Sequence, residues 1–225
     1  MVYLSLALSL RFNTTYKQVI DKRNNLGSTR LTDADGAAKR LGVFRAREFV
    51  TAGYPREYLR RLVAREQVRQ ISRGLYASTS FEGNEHQTLV EAAKRVPAGV
   101  VCLLSALSFH QLGTQLPAKV WLALPVGSSY PRIRDLPVRF CKFSRPTHAL
   151  GIEEHHLPGG TVRVYSAAKT VVDCFKFRNK IGIDVAVEAL SDCLRKRSAT
   201  ISQLNEFAVA CRVAKVMRPY LEAMQ

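Results

Sequence analysis

The stretch from Tyr54 to Ser78, YPREYLRRLVAREQVRQISRGLYAS, changes its apolar period part-way along, and that change limits what it can fold into. Up to Val63 the apolar residues Leu59, Leu62 and Val63 recur at the three- and four-residue spacing that gathers side chains on one side of a helix. Pro55 suits the first helical position, where its missing N–H would have no partner anyway. Beyond the helix, Val68 and Ile71, then Leu75 and Tyr76, flank the turn-prone Ser72-Arg73-Gly74, which predicts two strands joined by a tight turn. Six arginines run through both parts: Arg56, Arg60, Arg61, Arg65, Arg69 and Arg73. Successive helical residues turn about 100°, so Glu57, Tyr58, Arg61 and Arg65 are expected opposite the apolar side.

The residues upstream extend the pattern. Thr32 is read as a cap with Asp35 three residues on, and Ala34, Ala37, Ala38 and Leu41 follow at helical spacing. Gly42 reads as a stop. RAREFVTA predicts a short second helix with Phe49 and Val50 inward, ended by Gly53. Two short helices, a glycine turn, a basic third helix and a hairpin make a winged helix-turn-helix, in which the last helix enters the major groove. On that reading Tyr58, Arg61 and Arg65 read bases, Arg56, Arg60 and Arg69 anchor phosphates, and Arg73 contacts DNA from the wing. Single exposed arginines on a helix are usually a solvated face. Here the order of elements, the arginine at the wing tip and the charge act together, for residues 1–80 hold fifteen basic and six acidic side chains.

A chain of 225 residues with formal net charge +16 and a pI near 10.1 attracts polyanions, nucleic acid before membrane, since no apolar run reaches the length of a spanning helix. The opening MVYLSLALSL has the apolarity of a signal sequence, but no Lys or Arg precedes it and no small-x-small cleavage site follows closely, so a cytoplasmic location is expected. Residues 1–30 lack a sustained period and predict a flexible extension, 31–80 the winged helix-turn-helix, and 81–225 a mixed α+β domain, giving the α+β class overall. In that last part Asn84 with Gln87 reads as a cap. GVVCLL, VWLALPV, VRFCKF and TVRVY read as strands. Helical stripes follow at Ala168, Val171, Val172 and Phe175, at Ile183, Val187, Leu190 and Leu194, and after a Thr200–Gln203 cap.

No catalytic constellation emerges. Ser105 and His110 lie five apart and share no helix face, so Ser105 is expected to cap and His110 to edge the core. HALGIEEHH has no metal-ligand spacing and reads as a polar loop. Five widely spaced cysteines, Cys102, Cys141, Cys174, Cys193 and Cys211, suit core positions rather than a disulfide framework or zinc. Neither a cofactor nor a metal is expected. Lys169 and Asp173 are expected to form an ordinary i,i+4 surface pair.

LGVFRAREFVTAGYPREYLRRLVAREQVRQISRGLYA, LLSALSFHQLG, WLALPVG, GTVRVYSAAKTVVDCFKFRNKIG and MRPYLEA together resemble AbiEi-type antitoxins, the abortive-infection family with a winged-helix N-terminus, over about residues 31–225. Its most specific parts are the R-G-L-Y wing, Ser105-Ala106-Leu107 with His110 and Leu112, and Lys169-Thr170 with Asp173. The resemblance implies a type IV toxin–antitoxin component that represses its own operon at inverted repeats and counters a nucleotidyltransferase toxin, which targets RNA, without a stable complex being required. The family's usual Arg-Thr pair stands here as Lys169-Thr170, which puts any bidentate guanidinium role there in doubt. Lys169, Asp173, Lys176 and Arg178 are candidates for antitoxicity, and the basic clusters of 81–225 suggest a second polyanion, flanking DNA or RNA. Two rival readings stand beside this one: a stand-alone winged-helix regulator whose second domain binds another ligand, and a nuclease or nucleotidyltransferase with a DNA-binding head.

Overall fold

The computed structural model describes residues 30–80 and 86–224, in two compact units, 1–82 and 83–225. The flexible extension expected before residue 30 and the cap expected at Asn84 lie outside the described residues.

In the first unit a helix, α1, covers 30–41 and buries Leu31, Ala34, Ala37 and Ala38. Gly42, at φ +62°, ends it by donating its N–H to the Ala38 carbonyl at 3.0 Å. Thr32 therefore lies inside the helix and is not its cap. Next come β1 (Val43–Arg45), α2 (Ala46–Thr51), α3 (Arg56–Ala64), β2 (Val68–Ser72) and β3 (Leu75–Ser78). The three strands form an antiparallel sheet in the order β1-β3-β2. Phe44, Phe49, Leu59, Leu62 and Val68 close the core over Ala34 and Ala38. Phe44 stacks on Phe49 with ring centroids 5.6 Å apart. Val50 is 44% exposed, because on so short a helix the buried arc has room for Phe49 alone. The backbone of α2 starts where the Arg45 N–H donates to Glu48 Oε2 at 2.6 Å.

The second unit carries a five-stranded sheet in the order β6-β5-β4-β8-β7, made of β4 (Val100–Val101), β5 (Val120–Pro125), β6 (Val138–Phe143), β7 (Ile152–Leu157) and β8 (Gly160–Tyr165). β5/β6 and β4/β8 pair in parallel, and β4/β5 and β7/β8 antiparallel. α4 (Gln87–Arg95) packs against β8 and β5. α5 (Leu103–Phe109) and α7 (Ala167–Lys176) share the main core with Val100, Trp121, Ala123 and Tyr165. α6 (Arg145–Ala149), α8 (Arg178–Ile181), α9 (Ile183–Arg195), α10 (Ile201–Ala210) and α11 (Ala214–Ala223) complete the unit. The mixed α+β class and the winged N-terminal part agree with the sequence reading.

Several local expectations are corrected. GVVCLL gives only two strand residues before Leu103, at φ +48°, turns the chain into α5. Ser105 sits inside that helix, where its hydroxyl donates to the Lys119 carbonyl at 3.3 Å and accepts from the Trp121 N–H at 3.0 Å. It ties α5 to β5 rather than capping. IEEHHL is strand β7, paired with β8 through a Pro158-Gly159 turn, and not a loop. On α9 the buried residues are Val185, Ala186, Ala189, Leu190 and Cys193, while Ile183 is 38% exposed. Thr200 and Gln203 do form the capping box. All five cysteines are buried and unbridged.

The largest correction concerns α7, whose residues Ala167 to Phe175 are buried all round. Lys169 and Asp173 are both wholly buried and ion-paired to one another. The Lys169 ammonium lies 4.3 Å from the Tyr165 ring centroid and 5.1 Å from that of Phe143. Gly151, at φ +65°, backs onto the pair so tightly that a Cβ there would meet Lys169 Cβ at 2.8 Å. Burial pushes the Asp173 carboxyl up to about 6 despite the attraction of Lys169. Desolvation thus outweighs the attraction of Lys169 at that carboxyl. Lys169→Met alone strands the carboxylate and should cost about 3–5 kcal/mol, whereas Lys169→Met with Asp173→Leu should be neutral or stabilising by about 1–4 kcal/mol, as read by denaturant unfolding.

Candidate nucleic-acid interface

The order helix, strand, helix, helix, strand, strand, with β3 between β1 and β2, is that of a winged helix. Leu59, 3% exposed, and Leu62, wholly buried, fasten α3 to the core. Their burial fixes which side of the helix meets solvent. Arg56, Arg60, Arg61 and Arg65 are exposed along α3 and its C-terminal cap, and Arg69 and Arg73 are exposed on the hairpin. The structure thus brings all six arginines onto one helix and the hairpin that follows it.

Three of those on α3 differ in setting. Arg56 and Arg60 stand on the side of α3 that faces the sheet, at the rim of a cleft of about 370 Å³ floored by Leu59 and Val63 and closed by Gln70 and Tyr76. Arg61 lies on the other side, ion-paired with Glu57, its guanidinium carbon 5.7 Å from the Tyr58 ring centroid. Tyr58 is half-buried and packs against the core cluster, with the Arg61 guanidinium beside its ring. Gln70 and Tyr76 were not singled out from sequence. Their cross-strand pairing carries the signal, since alternation puts both side chains on one face of the sheet.

Gly74 shapes the wing. At φ +73° it closes the two-residue Arg73-Gly74 turn, and its carbonyl accepts the Ala46 N–H at 3.1 Å. That bond ties the turn to the start of α2 and leaves Arg73 exposed beside it.

In the second unit the candidates for antitoxicity fare differently. Wholly buried Lys169 and Asp173 cannot touch a partner, and their role is internal. Lys176 and Arg178 are half-buried at the α7–α8 junction, where Arg178 donates to the Phe175 carbonyl at 3.0 Å. His110 edges the core, bonded through Nε2 to the Tyr165 carbonyl at 2.7 Å, and burial holds its pKa below the usual histidine range. No cluster of His, Cys, Asp and Glu among the described residues is arranged to hold a metal. No described helix is long and apolar enough to cross a membrane.

Residues 36–79 match the family model for the AbiEi antitoxin transcriptional regulator. The match begins inside α1 and ends one residue beyond β3, so it spans most of the winged unit and supports a likeness there to the AbiEi family of regulatory antitoxins. Comparison with curated proteins gives no match. The match supports a DNA-binding antitoxin in general terms.

A substitution tests how the wing is held. A Cβ at Gly74 would meet nothing within 4 Å, so Gly74→Ala suffers only the positive φ, about 1–2 kcal/mol. Thermal unfolding should show that loss, and an unchanged midpoint would mean that the turn relaxes freely.

Proposed function

We propose that this protein is a transcriptional repressor and antitoxin that binds its own operator through α3 and the β2–β3 hairpin and counters a nucleotidyltransferase toxin encoded beside it. The observation that carries the DNA half is the exposure of Arg56, Arg60, Arg61, Arg65, Arg69 and Arg73 on one winged unit. A helix anchored by two leucines presents cations in fixed positions, as groove recognition requires. Within that unit Arg61 and Arg65 read base edges, Arg56, Arg60 and Arg69 hold phosphates, and Arg73 contacts the duplex from the turn. Inverted repeats as the operator, the nucleotidyltransferase toxin and its RNA target follow from the AbiEi resemblance.

The second unit, with nineteen basic and twelve acidic residues over 81–225, is assigned the antitoxic role. Arg132 and Arg134 on the β5–β6 connection and Arg195, Lys196 and Arg197 at the end of α9 are exposed and suit a second polyanion, either DNA flanking the operator or RNA.

Three phosphate contacts from Arg56, Arg60 and Arg69, with Arg73 as a fourth, should give duplex affinity a log–log salt slope of roughly minus three to minus four. A flat salt dependence would refute groove binding. Arg61→Ala should remove about 1–3 kcal/mol of sequence preference, while Arg69→Ala should weaken all duplexes alike. Growth rescue during expression of the neighbouring toxin tests the second half. The Arg61→Ala, Arg65→Ala double variant should lose the operator and keep rescue if antitoxicity resides beyond residue 80.

A further inference from the structure

The exposed side of α3 carries one acidic side chain among its arginines, and its position is specific. With Leu59 and Leu62 inward, about 100° per residue puts Glu57 and Ala64 on the line farthest from the core, with Arg60 to one side and Arg61 to the other. The side chain of Glu57 is 66% exposed and that of Arg61 53%. Ala64, exposed with a single methyl, leaves the line low enough for close approach.

A carboxylate at the centre of a helix face that enters a major groove cannot rest against phosphates of the same sign. It must meet the groove floor. There N7, O6 and O4 are acceptors like itself, and the only donors are the amino groups of cytosine and adenine. Adenine sets its amino group beside N7, which repels a carboxylate; cytosine offers N4–H without such a neighbour. Arg61, held by Glu57 and stacked near Tyr58, retains N–H groups for the guanine O6 and N7 that accept them bidentately.

The geometry points to Glu57 as a specificity-determining residue that accepts a hydrogen bond from the N4 amino group of one operator cytosine and holds Arg61 in register for a neighbouring guanine. This rests on the DNA reading proposed above and names the base chemistry it uses. At any other base the carboxylate loses water without gaining a donor, so Glu57 acts as much by rejecting wrong sequences as by favouring the right one.

The test enriches duplexes from a randomised library with full-length native protein and with Glu57→Gln. The best native duplex is then remeasured with the selected cytosine replaced by N4-methylcytosine, which removes the groove-facing N–H. The native protein should enrich a cytosine at one position. Glu57→Gln should lose that preference by about 5- to 150-fold, keep the flanking positions, and bind random duplex at least as tightly. N4-methylation should weaken the native protein and leave the variant unchanged. Enrichment of the same cytosine by Glu57→Gln, or equal weakening of both proteins by methylation, overturns the assignment to Glu57. A native protein that enriches no sequence at all overturns the DNA reading, and the assignment with it.

Discussion

Burial of Leu59 and Leu62 against Phe44 and Phe49 decides how α3 is rotated, and the character of the winged unit follows from that rotation. Each buried leucine contributes about 1.5–3 kcal/mol, enough to hold the cationic side outward against its own repulsion. Turning the helix by one residue would bury Arg61 or Arg60, at a cost far above that gain. The arginines are therefore presented by apolar packing. Glu57 offsets part of their repulsion through its ion pair with Arg61 and orients the guanidinium at the same time.

Charge is handled differently in the two units. On α3 the Glu57–Arg61 pair is exposed, so each charge keeps much of its water and the pair contributes little to stability. On α7 the Lys169–Asp173 pair is enclosed by Tyr165, Phe143 and Gly151, with the Cys211 thiol 3.8 Å from Asp173, so neither charge can leave its partner. The same i,i+4 spacing gives an exposed pair in one place and an internal tie in the other.

That contrast explains what was legible in the sequence. Helices α1 to α3 and the hairpin follow from apolar spacing and turn residues, and the helical period also puts Leu59 and Leu62 inward and Arg61 and Arg65 outward, as observed. β1 escaped because three residues are too few to show alternation, and it exists through its pairing with β3. Sequence favours a surface position for the α7 pair because Lys and Asp are seldom buried. The aromatic rings that enclose Lys169 come from β6 and β8, so only tertiary structure reveals the enclosure. Ser105 belongs with them, since its partners Lys119 and Trp121 lie more than a dozen residues away.

Arginine-selective chemical footprinting of the full chain bound to duplex DNA tests the α3 and hairpin surface most directly. With mass-spectrometric readout, the duplex should protect Arg56, Arg60, Arg61, Arg65, Arg69 and Arg73 from modification, while Arg178, already engaged with the Phe175 carbonyl, stays as it is in the free protein. Continued reactivity of the six arginines in the bound complex, with protection confined to arginines beyond residue 82, would contradict it.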